Sequence, residues 1–281
     1  MKHLLLLLTL VLAVALPLRA AESESLAERT LRQLVERQKD LLAEAAKQSP
    51  GFDADNFQTQ MQQVCQGYEL LLRDNPTFAP GFTAYGYLLG KIGQRKASIS
   101  ILLKANQLDS DQPLVKNQIG NFLAEEGRPR EALPYFLAAI KLAPREPLYH
   151  YQLGTLLHEA RDEFLKSGEW TADALNHAMH EAFRQAAELA PQRIEFTYRY
   201  AESFYDLENP DWAAALKAWS RLEEQAPTEI ERQTMRLQAA NVLLKQAKPD
   251  HARVLLDTVT EPALQGQKQK LVAELPAKGD K

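Results

Sequence analysis

The sequence predicts an all-α chain, an α-solenoid assembled from antiparallel helix pairs. Three observations carry that expectation. Gly86, Gly120 and Gly154 stand 34 residues apart, each inside a stretch that otherwise reads as helix. Apolar residues recur at three and four along most of the chain, and no long β-branched alternation marks a strand. Gly and Pro fall between the periodic runs, where helices stop.

Residues 1–20 are set aside as a signal peptide before the fold is read. Lys2 gives a positive start, the apolar run LLLLLTLVLAVAL comes next, Pro17 breaks it and Ala20 offers a small residue for cleavage. The run is short for a membrane span of about 20 residues. Position 21 is Ala and not Cys, and no twin arginine precedes the run. The expected mature chain begins at Ala21. It is exported to a periplasm or secreted, with a bacterial-type envelope as the setting and no membrane span left after cleavage. Loss of Lys2 and Arg19 takes the formal charge from −4 to −6. A mildly acidic, mixed-charge chain is not a nucleic-acid binder by bulk electrostatics. Cys65 is the single cysteine, which excludes an internal disulfide framework, zinc ribbons and CxxC redox chemistry. It reads as a small apolar residue on a helix.

In residues 21–53, LAERTLRQLVERQKDLLAEAAK reads as a long amphipathic helix, with Leu31, Leu34, Val35, Leu41, Leu42 and Ala45 in one stripe. SPGFDADN breaks it, and Asp53 or Asp55 caps the next helix. Residues 54–260 form the repeat array. A lone second helix comes first, with Tyr68, Leu71 and Pro76. Around Gly86 lie Phe82, Tyr85 and Leu89, with Gly93 as the stop and Ser98, Leu102 and Ala105 on the paired helix. The same places are held next by Ile119, Gly120, Leu123, Gly127, Ala132, Phe136, Ala139 and Pro144. A third unit has Leu153, Gly154, Leu157, Phe183, Ala186 and Pro191, and a fourth has Tyr200, Ala201, Phe204, Ala215, Trp219 and Pro227. A worn fifth has Ala240, Leu243, Ala252 and Leu256. Residues 261–275 close the stack as a capping helix, with Leu264, Leu271, Val272 and Leu275 inward. Residues 276–281 are a loose tail.

These residues resemble the tetratricopeptide repeat family, over roughly Gly67 to Val259. The residues suit the physics of such a unit. A glycine inside one helix lets its partner approach closely, and Phe136 fills the space between Ala132 and Ala139. Gly127 accepts a positive φ after a helix, and Pro144 stops the next one. A single unit cannot bury its own apolar face, so units stack and the ends need caps. The resemblance implies a right-handed superhelix with a concave groove for a protein or peptide. Lys116, His150 and Ser110 depart from the family's pattern. Some members hold a carboxylate with a basic clamp. Asn121 matches one place of it, but Tyr87 and Thr155 stand in the neighbouring units. The asparagine ladder of other members is matched only by Asn121 and Asn241.

The third unit is long. Gly154 to Phe183 is 29 residues where Gly120 to Phe136 is 16. The extra 13 residues are expected to extend both helices by one or two turns, Phe164 and Leu165 continuing the first, so that a hairpin near 158–178 juts from the stack with Trp170 at its tip. Trp170 either caps its own hairpin or contacts a partner. His150, His158, His177 and His180 cluster in this region. The three-residue interval between His177 and His180 is not HExxH. Packing or solvated histidines are the plain reading, and a metal site is its rival.

GxSxG, GxxxxGK[ST] and GxGxxG are all absent. No catalytic residue, metal or cofactor is assigned, and the chain reads as non-enzymatic. On each first helix, the residue after the glycine position and the one four before it turn toward the groove. The expected partner-binding stripe is Tyr87, Asn117, Asn121, Tyr151, Tyr198, Glu202, Tyr205 and Asn241. Thr83, Thr155 and Leu237 share its phase, and Lys91, Glu125, Glu159, Tyr205, Asp206 and Lys245 lie one turn on. The leading function is an exported interaction scaffold or adaptor that holds a protein or peptide in the groove. One alternative is a structural subunit of an envelope complex, docking through the N-terminal helix and the hairpin tip. Another is a metal-binding protein using His158, His177 and His180.

Overall fold

The computed structural model describes residues 24–47 and 52–276. The expected signal peptide, residues 1–20, and all but the first residue of the 276–281 tail lie outside them. The described residues contain fourteen α-helices and no strand. The chain divides into two compact units, one up to Gly81 and one from Phe82 onward.

The first unit holds α1 (Leu26–Ala46) and α2 (Ala54–Asp74). Ser25 and Glu28 form a reciprocal capping box at the start of α1, and Asp53 accepts from Asn56 N at 2.9 Å to cap α2. The two helices pack closely because Gly67 has no side chain. A Cβ there would stand 2.6 Å from Leu34 Cδ2. Beside it Tyr68 is fully buried and its hydroxyl donates to Gln38 Oε1 at 2.8 Å.

The second unit is a run of helix pairs. They are α3 (Ala79–Lys91, beginning before the division) with α4 (Arg95–Leu108), then α5 (Pro113–Glu125) with α6 (Pro129–Leu142). Next come α7 (Pro147–Glu159) with α9 (Ala172–Leu189), α10 (Ile194–Ser203) with α11 (Trp212–Gln225), and α12 (Glu229–Lys245) with α13 (Pro249–Asp257). The 34-residue interval is a packing interval. A Cβ on Gly86 would meet Leu102 at 2.6 Å, one on Gly120 the Phe136 ring at 3.1 Å, and one on Gly154 the Phe183 ring at 2.7 Å. Ser98 Oγ also donates to the Gly86 carbonyl at 2.6 Å, so a buried hydroxyl is satisfied by the helix it packs on.

Two turns repeat atom for atom. Gly93 N donates to Gly90 O and Gln94 N to Leu89 O; Gly127 N donates to Ala124 O and Arg128 N to Leu123 O. Both glycines have φ near +75°, at 80° and 73°, which is the left-handed helix end that favours Gly. The fifth unit makes the same two bonds, from Ala247 N to Leu244 O and from Lys248 N to Leu243 O. There an alanine holds φ 54°.

The long third unit differs from expectation. The first helix does not run on through Phe164. It ends at Glu159, Ala160 breaks it, and a separate six-residue α8 (Arg161–Lys166) comes next. The break turns Phe164 inward, where it is fully buried. Trp170 is half-buried against it, with ring centroids 6.3 Å apart in an edge-on arrangement. Only α9 is lengthened, from its Thr171 cap, whose hydroxyl accepts from Ala174 N at 3.1 Å. At the far end a 3-10 turn, Pro262–Leu264, precedes α14 (Gln265–Ala273). Leu264 is buried, and Leu271 and Leu275 pack on the same cluster. Val272, expected inward, is 44% exposed.

Candidate functional site

Successive first helices of the second unit leave two hollows along one stripe. The first is about 530 Å³. Asn121 and Glu125 of α5, Tyr151, Thr155 and Glu159 of α7 and Glu163 of α8 are in its wall. The second is about 370 Å³ and takes Tyr198, Glu202, Tyr205, Asp206, Trp219 and Asn241. His158 of α7 and Gln238 of α12 complete it, so α7 contributes to both hollows.

The tyrosines are braced by the repeat core. The Tyr151 ring lies 4.6 Å from Phe196 and 5.9 Å from Phe183, centroid to centroid. Tyr198 meets Trp219 edge-on at 5.3 Å, and Tyr205 meets Trp212 at 5.5 Å. Burial pushes the Tyr205 phenol up to about 12, and the Asn241 and Trp219 side chains draw it down by less. Burial also raises Tyr151 and Tyr198. All three therefore stay neutral hydroxyl groups near neutral pH. Tyr151, expected to turn toward the groove, is also part of the repeat packing.

The charge in both hollows has one sign. Glu125, Glu159, Glu163, Glu202 and Asp206 line them, and no Lys or Arg does. Glu125 pairs with Arg95 at 3.3 Å, and Glu202 with Arg199, whose guanidinium lies 5.0 Å above the Phe183 ring. Glu159, Glu163 and Asp206 have no ion-pair partner among the described residues. Asp206 is set in place by its backbone. α10 stops at Ser203, a 3-10 turn covers Phe204–Asp206, and Asn176 Nδ2 donates to the Asp206 carbonyl at 2.6 Å.

Two of the lining residues carry a buried polar atom without a protein partner in hydrogen-bond geometry: Gln152 Oε1 at the first hollow and Trp219 Nε1 at the second. Sequence reasoning placed Trp219 only as a core residue, the counterpart of Phe136 and Phe183. The signal was the residue type itself, since Trp brings an N–H to a position where Phe has none.

Other expected stripe residues lie elsewhere. Asn117 is 3% exposed and Leu237 2%, so both are packed inside the array and closed to a partner. Tyr87 is tied down as well. Its hydroxyl donates to Leu114 O at 2.9 Å, joining α3 to the start of α5, and burial holds its phenol well above the usual range. The histidines of the metal alternative take separate environments. His177 Nδ1 lies 3.0 Å from Asp173 O, on an exposed face. His158 lines the second hollow. His180 packs on Phe204 at 4.5 Å and on Tyr200 at 5.2 Å. Its Nδ1 is 2.8 Å from Ser203 Oγ, whose own proton goes to Tyr200 O, so Nδ1 carries the hydrogen. Among the described residues, no group of three or more His, Cys, Asp or Glu could hold a metal ion.

The fold and the hollows define an all-α array of helix pairs with a polar stripe of two concavities. Comparison with known proteins adds to this. A tetratricopeptide repeat model matches residues 115–146, the α5–α6 unit. No curated protein matches the chain in sequence. Among solved structures, the chain is similar to YrrB, described as a TPR protein with an unusual peptide-binding site. The identity is 16%, coverage is 74% of this chain and 99% of that one, and the TM-score is 0.60. It is also similar to PilF of Pseudomonas aeruginosa, at 15% identity, 88% and 99% coverage and a TM-score of 0.56. MamA of Desulfovibrio magneticus RS-1 is similar at 14% identity, 71% and 97% coverage and a TM-score of 0.52. At these identities the likeness is one of fold. No helix among the described residues is long and apolar enough to cross a membrane.

Proposed function

We propose that the chain is an exported, non-enzymatic interaction scaffold that holds a protein or peptide segment along the two adjoining hollows. The observation that carries this is that two of their lining residues, Gln152 and Trp219, carry buried atoms without a partner, one acceptor and one donor. An extended chain presents both complements, a carbonyl and an N–H, at every residue. A buried polar group without a partner costs about 1–3 kcal/mol, so a ligand that supplies one gains from the pairing. The tyrosine and asparagine walls suit the same ligand, since they give contact area and hydrogen bonds at low entropy cost. YrrB, similar in fold, is described as having a peptide-binding site, which agrees with this reading. Export rests on the Lys2–Ala20 segment of the sequence. An N-terminus at Ala21 on secreted or periplasmic material tests it, and an N-terminus at Met1 there overturns it.

The groove is tested by filling it. Peptides selected from a random display library against the mature chain are titrated into Thr155→Trp and Asn241→Trp, each of which places bulk in one hollow. Binding should fall with thermal unfolding little changed. Undiminished binding to both variants, together with loss on Trp170→Ala, would move the site to the hairpin.

A further inference from the structure

Resting on the groove reading, we infer that the second hollow is a pocket for the cationic side chain of a lysine or arginine in the bound segment, with Trp219 Nε1 donating to that segment's backbone carbonyl. Three independent features converge there. The first is charge: Glu202 and Asp206 face the hollow, no Lys or Arg lines it, and Asp206 has no ion-pair partner among the described residues. Arg199 secures Glu202 but does not line the hollow. The same sign continues next door, where Glu159 and Glu163 lie in the wall of the first hollow.

The second feature is aromatic walling by Tyr198, Tyr205 and Trp219. A lysine or arginine stem needs apolar surface along its length and a charged end-point, and aromatic rings add attraction for the cation itself. An anionic side chain would meet the unpaired Asp206 carboxylate beside the Glu202–Arg199 ion pair. A neutral apolar one would strand that carboxylate without benefit.

The third feature is the indole. Trp219 is 1% exposed and its N–H meets no acceptor in hydrogen-bonding geometry. It is close enough to the Tyr205 hydroxyl for a weak hydrogen-bonding pull that lowers that phenol, without reaching full hydrogen-bond geometry. That hydroxyl is in turn only loosely engaged, at 3.3 Å from Gln238 Oε1 and 3.4 Å from Gln238 O. The equivalent core rings, Phe136 and Phe183, carry no donor. Only this unit therefore pairs a buried donor with an acidic, aromatic hollow. A peptide carbonyl beside a cationic side chain satisfies both at once.

The test uses the mature full-length chain labelled with ¹⁵N and the indole N–H resonances of its three tryptophans. Trp219→Phe, which installs the ring type of the neighbouring units, identifies the Trp219 resonance. The probes are blocked alanine pentapeptides with lysine, arginine, norleucine or glutamate at the centre, and n-butylammonium. Lysine and arginine peptides should move the Trp219 resonance, and the isosteric norleucine peptide should bind about tenfold more weakly. Glu202→Gln with Asp206→Asn should remove that preference while leaving the melt unchanged. Butylammonium has the charge but no carbonyl, so it should leave the indole resonance in place.

Equal binding by the lysine and norleucine peptides, with the indole moving for both, would sink the cation pocket and leave the groove reading standing. A butylammonium shift equal to that of the lysine peptide would overturn the carbonyl assignment. No movement of any hollow resonance by any peptide up to its solubility limit would overturn the pocket. Only continued binding of library-selected peptides to the filled variants overturns the groove itself.

Discussion

The Asn176 side-chain amide donates to the Asp206 carbonyl at 2.6 Å, reaching from α9 to the 3-10 turn thirty residues on. The same amide oxygen accepts from Arg161 Nε at 3.3 Å, so one buried side chain ties α8, α9 and the wall of the second hollow together. Asn176→Leu keeps the volume and removes both bonds. The expected loss is about 1–3 kcal/mol, because the carbonyl is left without its donor. Chemical denaturation measures it, and a variant as stable as the parent would show that water replaces the amide at no cost.

The inner glycines should not respond alike to alanine. Alanine gains about 1 kcal/mol of helix propensity over glycine in either place. At Gly154 the new methyl would meet three Phe183 ring atoms at 2.7–3.0 Å, and that ring is fully buried against Tyr151. At Gly120 the Phe136 ring is 3.1–3.2 Å away and needs to give only a few tenths of an ångström. Gly154→Ala should cost about 1–2 kcal/mol net, and Gly120→Ala should be near neutral. Paired urea melts decide it, and equal midpoints would be the wrong result for this packing.

Ala247 is strained where its counterparts are not. It holds φ 54° in a turn whose two hydrogen bonds match those of Gly93 and Gly127. Ala247→Gly should stabilise the chain by about 0.5–1 kcal/mol, the left-handed penalty outweighing the extra freedom of unfolded glycine. A fall in melting temperature would contradict this.

His180 makes stability depend on acid. Burial pushes its imidazolium down from 6.5 to about 4, opposed by Glu181 and assisted by His177 and Arg184. The folded state thus binds fewer protons than the unfolded chain between those values. Its contribution is complete above about 6.5 and is lost as pH falls toward 4. The ring is partly exposed, so the discounted loss is about 1–2 kcal/mol. His180→Asn keeps a donor toward Ser203 without titrating, and its stability should slope less between pH 6.5 and 4. Identical slopes would remove His180 from the account.

The repeat was legible because it is written in side-chain volume. Gly86, Gly120 and Gly154 are small where Leu102, Phe136 and Phe183 are large, and that pattern survives without any view of the partner helix. Helical phase also carried Asn121, Tyr151, Tyr198 and Asn241 to the walls of the hollows. It failed at Asn117 and Leu237 because phase gives direction about one axis, and whether the next helix covers that direction depends on how pairs stack. The Ala160 break was hidden because alanine is a good helix former. The break accompanies the burial of Phe164 in the core, a tertiary contact that local propensity does not report. The Trp219 donor was hidden for the opposite reason, since its ring satisfies the core pattern so well that its one polar atom goes unremarked.

A chain of like units invites sliding: a ligand moved along by one unit finds nearly the same surface, and its register is degenerate. If a segment binds along the stripe, α8 would remove that degeneracy. Among the described residues it occurs in one pair only, and it puts Glu163 into the wall of the first hollow. For a segment lying along the stripe, a shift by one unit exchanges that wall for one without it. On the groove reading, the thirteen extra residues would act as an index mark, fixing where along a periodic surface an aperiodic sequence must begin.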